Sequence, residues 1–179
     1  MAEQINPGNA ARPKVPPSRQ ISAKQMETLF RSAAFGDIVS ILMRAPRHKK
    51  LSLDALRVFV LPAVLNTQYM VARFRQQADS GAVPAGVAIW ASVSDEVDKR
   101  LRANPKQQVK LAPEEWKSGP NLWLVDLVAP SALAATMLKD VDEKVAKGKP
   151  MAAQVVSNDG VVKLTTVKEL RAGLEKAPS

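Results

Sequence analysis

Two residues of this chain have reactive side chains that their surroundings do not explain. His48 is the single histidine among 179 residues, set in Ala45-Pro46-Arg47-His48-Lys49-Lys50, a polar stretch crowded with cations. Neighbouring positive charges disfavour the imidazolium, so His48 is expected to be able to accept a proton near neutral pH. Asp126 is the one acid in Asn121-Leu122-Trp123-Leu124-Val125-Asp126-Leu127-Val128, which otherwise reads as a central β-strand. A carboxylate among apolar neighbours needs hydrogen-bond donors, a cation or a proton, so Asp126 implies a partner elsewhere in the chain. Each residue also has a plain alternative. His48 could be incidental to a solvated basic loop, and Asp126 could cap the turn before Pro130.

Side chains alternate along an extended segment. Asp126 is therefore expected to share a face with Leu122, Leu124 and Val128, opposite Trp123, Val125 and Leu127. Both faces are apolar, the habit of a strand covered on both sides in a mixed or parallel sheet of an α/β or α+β domain.

The elements that must position these residues follow in order. Residues 1–20 carry Pro7, Pro13, Pro16 and Pro17 in no period and are expected to form a flexible tail. A single domain is expected over residues 21–179, since 46% hydrophobic residues suffice for one core. Ser22 and Gln25 form a capping box, with Ile21 and Met26 placed as a staple. They open a helix whose stripe is Met26, Leu29, Phe30, Ala33, Ile38, Ile41 and Leu42, ending before Pro46. Ser52 caps a second helix through Leu53, Leu56, Phe59 and Val60, expected to stop before Pro62. Strands at 68–74 and 84–91 flank the turn Asp79-Ser80-Gly81. Ser92 or Ser94 opens a helix ending near Asn104-Pro105, and Pro113-Glu114-Glu115 starts a short helix bearing Trp116. After the Asp126 strand come a helical stripe from Leu133 to Val145 closed by Gly148, a hairpin across Asn158-Asp159-Gly160, and a helix capped by Thr166 and Glu169.

Composition narrows the function. The formal net charge of +9 favours an acidic partner: nucleic acid, an anionic membrane or an acidic protein. Aromatics at 4% argue against base-stacking platforms. The absence of cysteine removes disulfides, thiol nucleophiles and cysteine-based zinc sites, and no metal ligand set is expected. No apolar run approaches the roughly 20 residues that span a bilayer, so a soluble, cytoplasmic protein is expected.

Four fragments in order, Pro46-x-His48, Leu61-Pro62-Ala63 followed by Gln68-Tyr69, Glu115-Trp116-x-Ser118-Gly119 and Trp123-x-x-Asp126-x-x-Ala129-Pro130, resemble the RTX toxin-activating lysine acyltransferases. The resemblance runs from about Met43 to about Leu164. It implies an α+β fold like the GCN5-related N-acetyltransferases, with a mixed, mostly antiparallel sheet flanked by helices. It implies no tightly bound cofactor, a fatty acyl group delivered by acyl carrier protein, transfer to internal lysine ε-amines of an RTX-type protoxin or related protein, and a homodimer. The family's catalytic histidine and aspartate match His48 and Asp126. If the fold brings them together, the imidazole would take the proton of the attacking amine while the carboxylate orients the ring or steadies positive charge. The acetyltransferase pyrophosphate loop is missing from this chain, which suits a carrier protein steered by charge to Arg47, Lys49 and Lys50. Ala45 stands where the family commonly has serine. Two other readings fit the charge: a basic nucleic-acid-binding module, and a catalytically inactive partner-binding scaffold of the same fold.

Overall fold

The computed structural model describes residues 21–75, 81–105, 107–156 and 161–176, and the expected tail and both hairpin turns lie outside them or at their margins. The order is α1 (Ala23–Arg44), α2 (Leu53–Leu65), β1 (Tyr69–Phe74), β2 (Val83–Val93), α3 (Asp95–Ala103), a 3₁₀ turn at Pro113–Glu115, β3 (Asn121–Val128), α4 (Ser131–Asp140), β4 (Met151–Val156), β5 (Val162–Thr166) and α5 (Val167–Lys176). The strands form one sheet in sequence order. β1–β2, β2–β3 and β4–β5 pair antiparallel, while β3–β4 is parallel and joined through α4. This is the mixed, mostly antiparallel α+β architecture that the sequence led us to expect.

Alternation along β2 divides the core. Val87, Ile89, Ala91 and Val93 pack with Ile38, Ile41, Leu42, Val60, Ala63 and Trp123 on the side of α1 and α2. Ala88 packs with Leu124, Met137, Leu138, Val141 and Val167 on the side of α4 and α5. Gly86 lets α4 approach the sheet, because a Cβ there would lie 2.9 Å from the Met137 sulfur and from the Ala129 Cβ.

Local signals account for most boundaries. Ser22 and Gln25 form their reciprocal capping box, Ser52 and Ser94 cap α2 and α3, and Thr166 and Glu169 exchange the same pair of bonds at α5. Two expectations are corrected. The apolar stripe of α1 is buried only in its second half, at Ala34, Ile38, Ile41 and Leu42, while Met26, Leu29 and Phe30 stay exposed. α2 does not stop before Pro62 but runs through it to Leu65. The proline forfeits one helical bond, to Val58, while Asn66 N–H still reaches Pro62 O at 3.0 Å and Gln68 N–H reaches Ala63 O at 2.8 Å. Burial of Pro62, Ala63 and Val64 outweighs the local preference. Beyond Asp140, α4 passes into a π-turn at Val141–Ala146 and closes through Lys147 and Gly148, both in the left-handed region at φ 50° and 82°. No helix among the described residues is long and apolar enough to cross a membrane.

Candidate active site

The site begins with an irregularity in β3. Trp90 pairs with Leu124 but Ile89 pairs with Asp126, leaving Val125 as an extra residue opposite no partner on β2. Such a bulge shifts every following side chain to the other face. Asp126 therefore does not share a face with Leu124, as strict alternation requires; it stands beside Ile89, on the side of α1 and α2.

That side also holds the connection between the first two helices. Ala45 O accepts from His48 N–H at 2.9 Å and His48 O accepts from Leu51 N–H at 3.0 Å, so two tight turns follow each other, with Pro46 in the second position of the first. The turns leave Arg47, Lys49 and Lys50 exposed and tuck His48 inward. His48 Nε2 lies 2.6 Å from Asp126 Oδ2, and each side chain is 12% exposed. Asp126 Oδ1 accepts from the N–H of Leu127 at 2.9 Å. Both carboxylate oxygens are thus engaged, and neither plain alternative describes the pair. With Nε2 donating to the acid, the other ring nitrogen, Nδ1, is buried with no partner among the described residues. An imidazole so held has one nitrogen oriented by a carboxylate and the second left to exchange a proton.

A cavity of about 750 Å³ adjoins the pair. It arises where β3 and β4 part: their last aligned residues are Leu124 and Ala153, although β3 continues to Val128 and β4 to Val156. The bulge and the gap begin at the same place in β3. The wall is largely apolar, with Leu51, Phe59 and Val125 towards α2 and Leu138, Leu170 and Leu174 towards α4 and α5. Of the three cations proposed for docking, Arg47 reaches the cavity wall; Lys49 and Lys50 do not.

Five further motif residues, Gln68, Glu115, Trp116, Ser118 and Gly119, form a clasp beside the cavity. Gln68, 5% exposed, donates through Nε2 to Trp116 O at 2.9 Å and to Ser92 Oγ at 3.1 Å. Ser118 Oγ accepts from Ser94 N–H and donates to Glu115 O, both at 2.9 Å. Gly119 is required there, since a Cβ would sit 2.6 Å from the Ser94 Cα. Arg100 grips Glu115 at 2.7 and 2.8 Å, and this bond, more than any other cause, holds the Glu115 carboxyl below its ordinary range. The clasp seats the Trp116 indole in the cavity wall, against Phe59 with ring centroids 6.3 Å apart. Gln154 is a cavity residue that the functional reading of the sequence did not single out, whereas Trp116 stood there only as part of the Glu115-Trp116-x-Ser118-Gly119 fragment. Gln154 had a visible signal, a polar side chain in the apolar run Met151–Val156, the same argument that drew attention to Asp126. Among the described residues no cluster of three or more His, Cys, Asp or Glu could hold a metal ion.

A model of the RTX toxin acyltransferase family matches residues 27–169, most of the chain. The chain belongs to this family. Among curated members, it is 33% identical over 108 residues to the leukotoxin-activating lysine-acyltransferase LktC of Pasteurella haemolytica-like sp. (strain 5943B), covering 60% of each chain. It is 32% identical over 109 residues to the LktC of Mannheimia haemolytica serotype A1, covering 61% of this chain and 60% of that one. To the RTX-II toxin-activating lysine-acyltransferase ApxIIC of Actinobacillus pleuropneumoniae it is 26% identical over 109 residues, covering 61% and 62%. The matched region thus spans about 60% of the length of these relatives.

Proposed function

We propose that the protein transfers a fatty acyl group from acyl carrier protein to lysine ε-amines of an RTX-type protoxin or a related protein. The observation that supports this most is the His48–Asp126 pair, 2.6 Å apart, beside a largely apolar cavity of about 750 Å³. Family membership supports the same reaction class.

The proposed chemistry assigns each group one task. The lysine nitrogen attacks the thioester carbonyl carbon, forming the amide C–N bond as the C–S bond breaks. His48 Nδ1 takes the proton the amine must shed, because an ordinary lysine amine, with a pKa of about 10.4, is almost fully protonated at neutral pH. That proton passes on to water, and the second proton, which the nitrogen loses as the amide forms, goes through the same ring to the departing thiolate. Asp126 fixes the ring through Nε2 and balances the charge that develops on it. The apolar wall shelters the acyl chain from water, and the exposed Arg47, Lys49 and Lys50 offer positive charge to an acidic carrier.

The test is intact-mass measurement of candidate acceptor proteins incubated with this protein and acylated carrier protein. A mass increase equal to the acyl group, mapped to lysine, is expected; transfer that proceeds equally without the protein would overturn the proposal.

A further inference from the structure

The cavity wall holds more unpartnered polar atoms than this chemistry uses. Among the described residues, the buried side-chain nitrogens and oxygens without a hydrogen-bond partner are His48 Nδ1, Gln68 Oε1, Trp116 Nε1 and both amide atoms of Gln154. All but the Gln68 atom belong to residues that line the cavity. Gln154 is the most costly of them, because neither its donor nor its acceptor is used. An unsatisfied buried polar group destabilises a fold, and folded proteins keep few of them. The rest of β4 is apolar, so the strand itself has no need of an amide there.

Its position is informative. Ala153 is the last β4 residue paired with β3, so Gln154 is the first residue beyond the pairing, at the throat of the gap. Strand alternation puts it on the face of Ala152, which belongs to the core on the α1–α2 side, where Asp126 and His48 also lie. Its amide atoms are covered, so bulk water does not hydrate them. Because Gln154 lines the cavity, a polar chain that enters it can supply the missing partners.

We infer that Gln154 reads the amide-bearing arm of the acyl donor, with Oε1 accepting from an amide N–H and Nε2 donating to an amide carbonyl. The inference rests on the acyl-thioester reading given above. Apolar walls hold an acyl chain whatever carries it; an amide contact is what separates a pantetheine-type arm from a simple thiol ester. Gln154 is thus a specificity residue for the donor and takes no part in proton transfer.

The experiment is calorimetric titration of the wild type and Gln154→Leu with octanoyl-pantetheine, and with the octanoyl ester of mercaptoethanol, which has no amide. Loss of two hydrogen bonds should raise Kd for the pantetheine ester about 10-fold or more. Binding of the mercaptoethanol ester should be unchanged, and Tm should equal or exceed that of wild type. Equal binding of the pantetheine ester by both proteins, or equal weakening for both esters, would overturn the inference. If Gln154→Leu folds poorly, Gln154→Met supplies the same comparison. Transfer assayed in parallel keeps the two readings apart: wild type that binds the pantetheine ester through Gln154 but moves no acyl group contradicts the proposed activity and leaves the arm contact standing.

Discussion

Ile89 of β2 and Asp126 of β3 are cross-strand partners, which puts the carboxylate on the side of the sheet where the α1–α2 turns present His48. The pairing exists because Val125 has no counterpart on β2. Inserting one residue between Ile89 and Trp90 should give Val125 a partner, restore plain alternation and turn Asp126 to the face of Leu124, towards α4. We expect Tm to fall and acyl transfer to drop by about 100-fold or more, the scale of a positioned acid–base group. An insertion variant that folds and transfers at the wild-type rate would show that the bulge does not place the acid.

This bulge marks the boundary of what could be read from the sequence. Caps, turns and apolar periods located the elements because those signals act over three or four residues: Ser22 with Gln25, Ser52, Ser94, and Thr166 with Glu169 all bond as their spacing implies. Asp126 and His48 could be picked out as residues in need of explanation. The face on which Asp126 lies could not be read, because one unpaired residue reverses it and pairing is set by the neighbouring strand. The helix through Pro62 was hidden for a related reason: packing of Ala63 and Val64 decides it, not the proline's own preference. Gln154 was legible as an odd residue, but its place at the end of the β3–β4 pairing was not.

Gln68→Leu should loosen the clasp. It removes the bonds to Trp116 O and Ser92 Oγ, although Ser92 N–H still donates to Trp116 O at 2.9 Å. The expected loss is about 1–3 kcal/mol in urea unfolding, and unchanged stability would show that the clasp carries no strain-free gain from Gln68.

The Arg100–Glu115 bond gives a pH signature of known sign. Because the bond lowers the folded-state Glu115 carboxyl, its stabilisation is present above the ordinary glutamate range and is lost as pH falls through the folded value. The stability gap between wild type and Glu115→Gln should therefore be full at pH 7 and shrink below about pH 4. Urea melts across that range measure it, and a gap that stays constant or widens in acid would contradict the assignment.

Reversing charge at Arg47, Lys49 and Lys50 should act on capture of the donor. All three side chains are exposed and make no ion pair among the described residues. We expect a higher apparent KM for acylated carrier protein, a weaker dependence on salt and an almost unchanged kcat. A fall in kcat at constant KM would place these residues elsewhere in the reaction.

The central claim is that His48, oriented by Asp126, takes the proton of the attacking lysine. The measurement that meets it most directly is the pH–rate profile of acyl transfer by a folded His48→Ala variant beside wild type, with Asp126→Asn as a companion. The account predicts that His48→Ala is inactive near pH 7 and regains activity as pH rises towards the lysine value of about 10.4, where the amine sheds its own proton, and that Asp126→Asn loses about 100-fold or more at pH 7. Wild-type rates at pH 7 in either variant would contradict it.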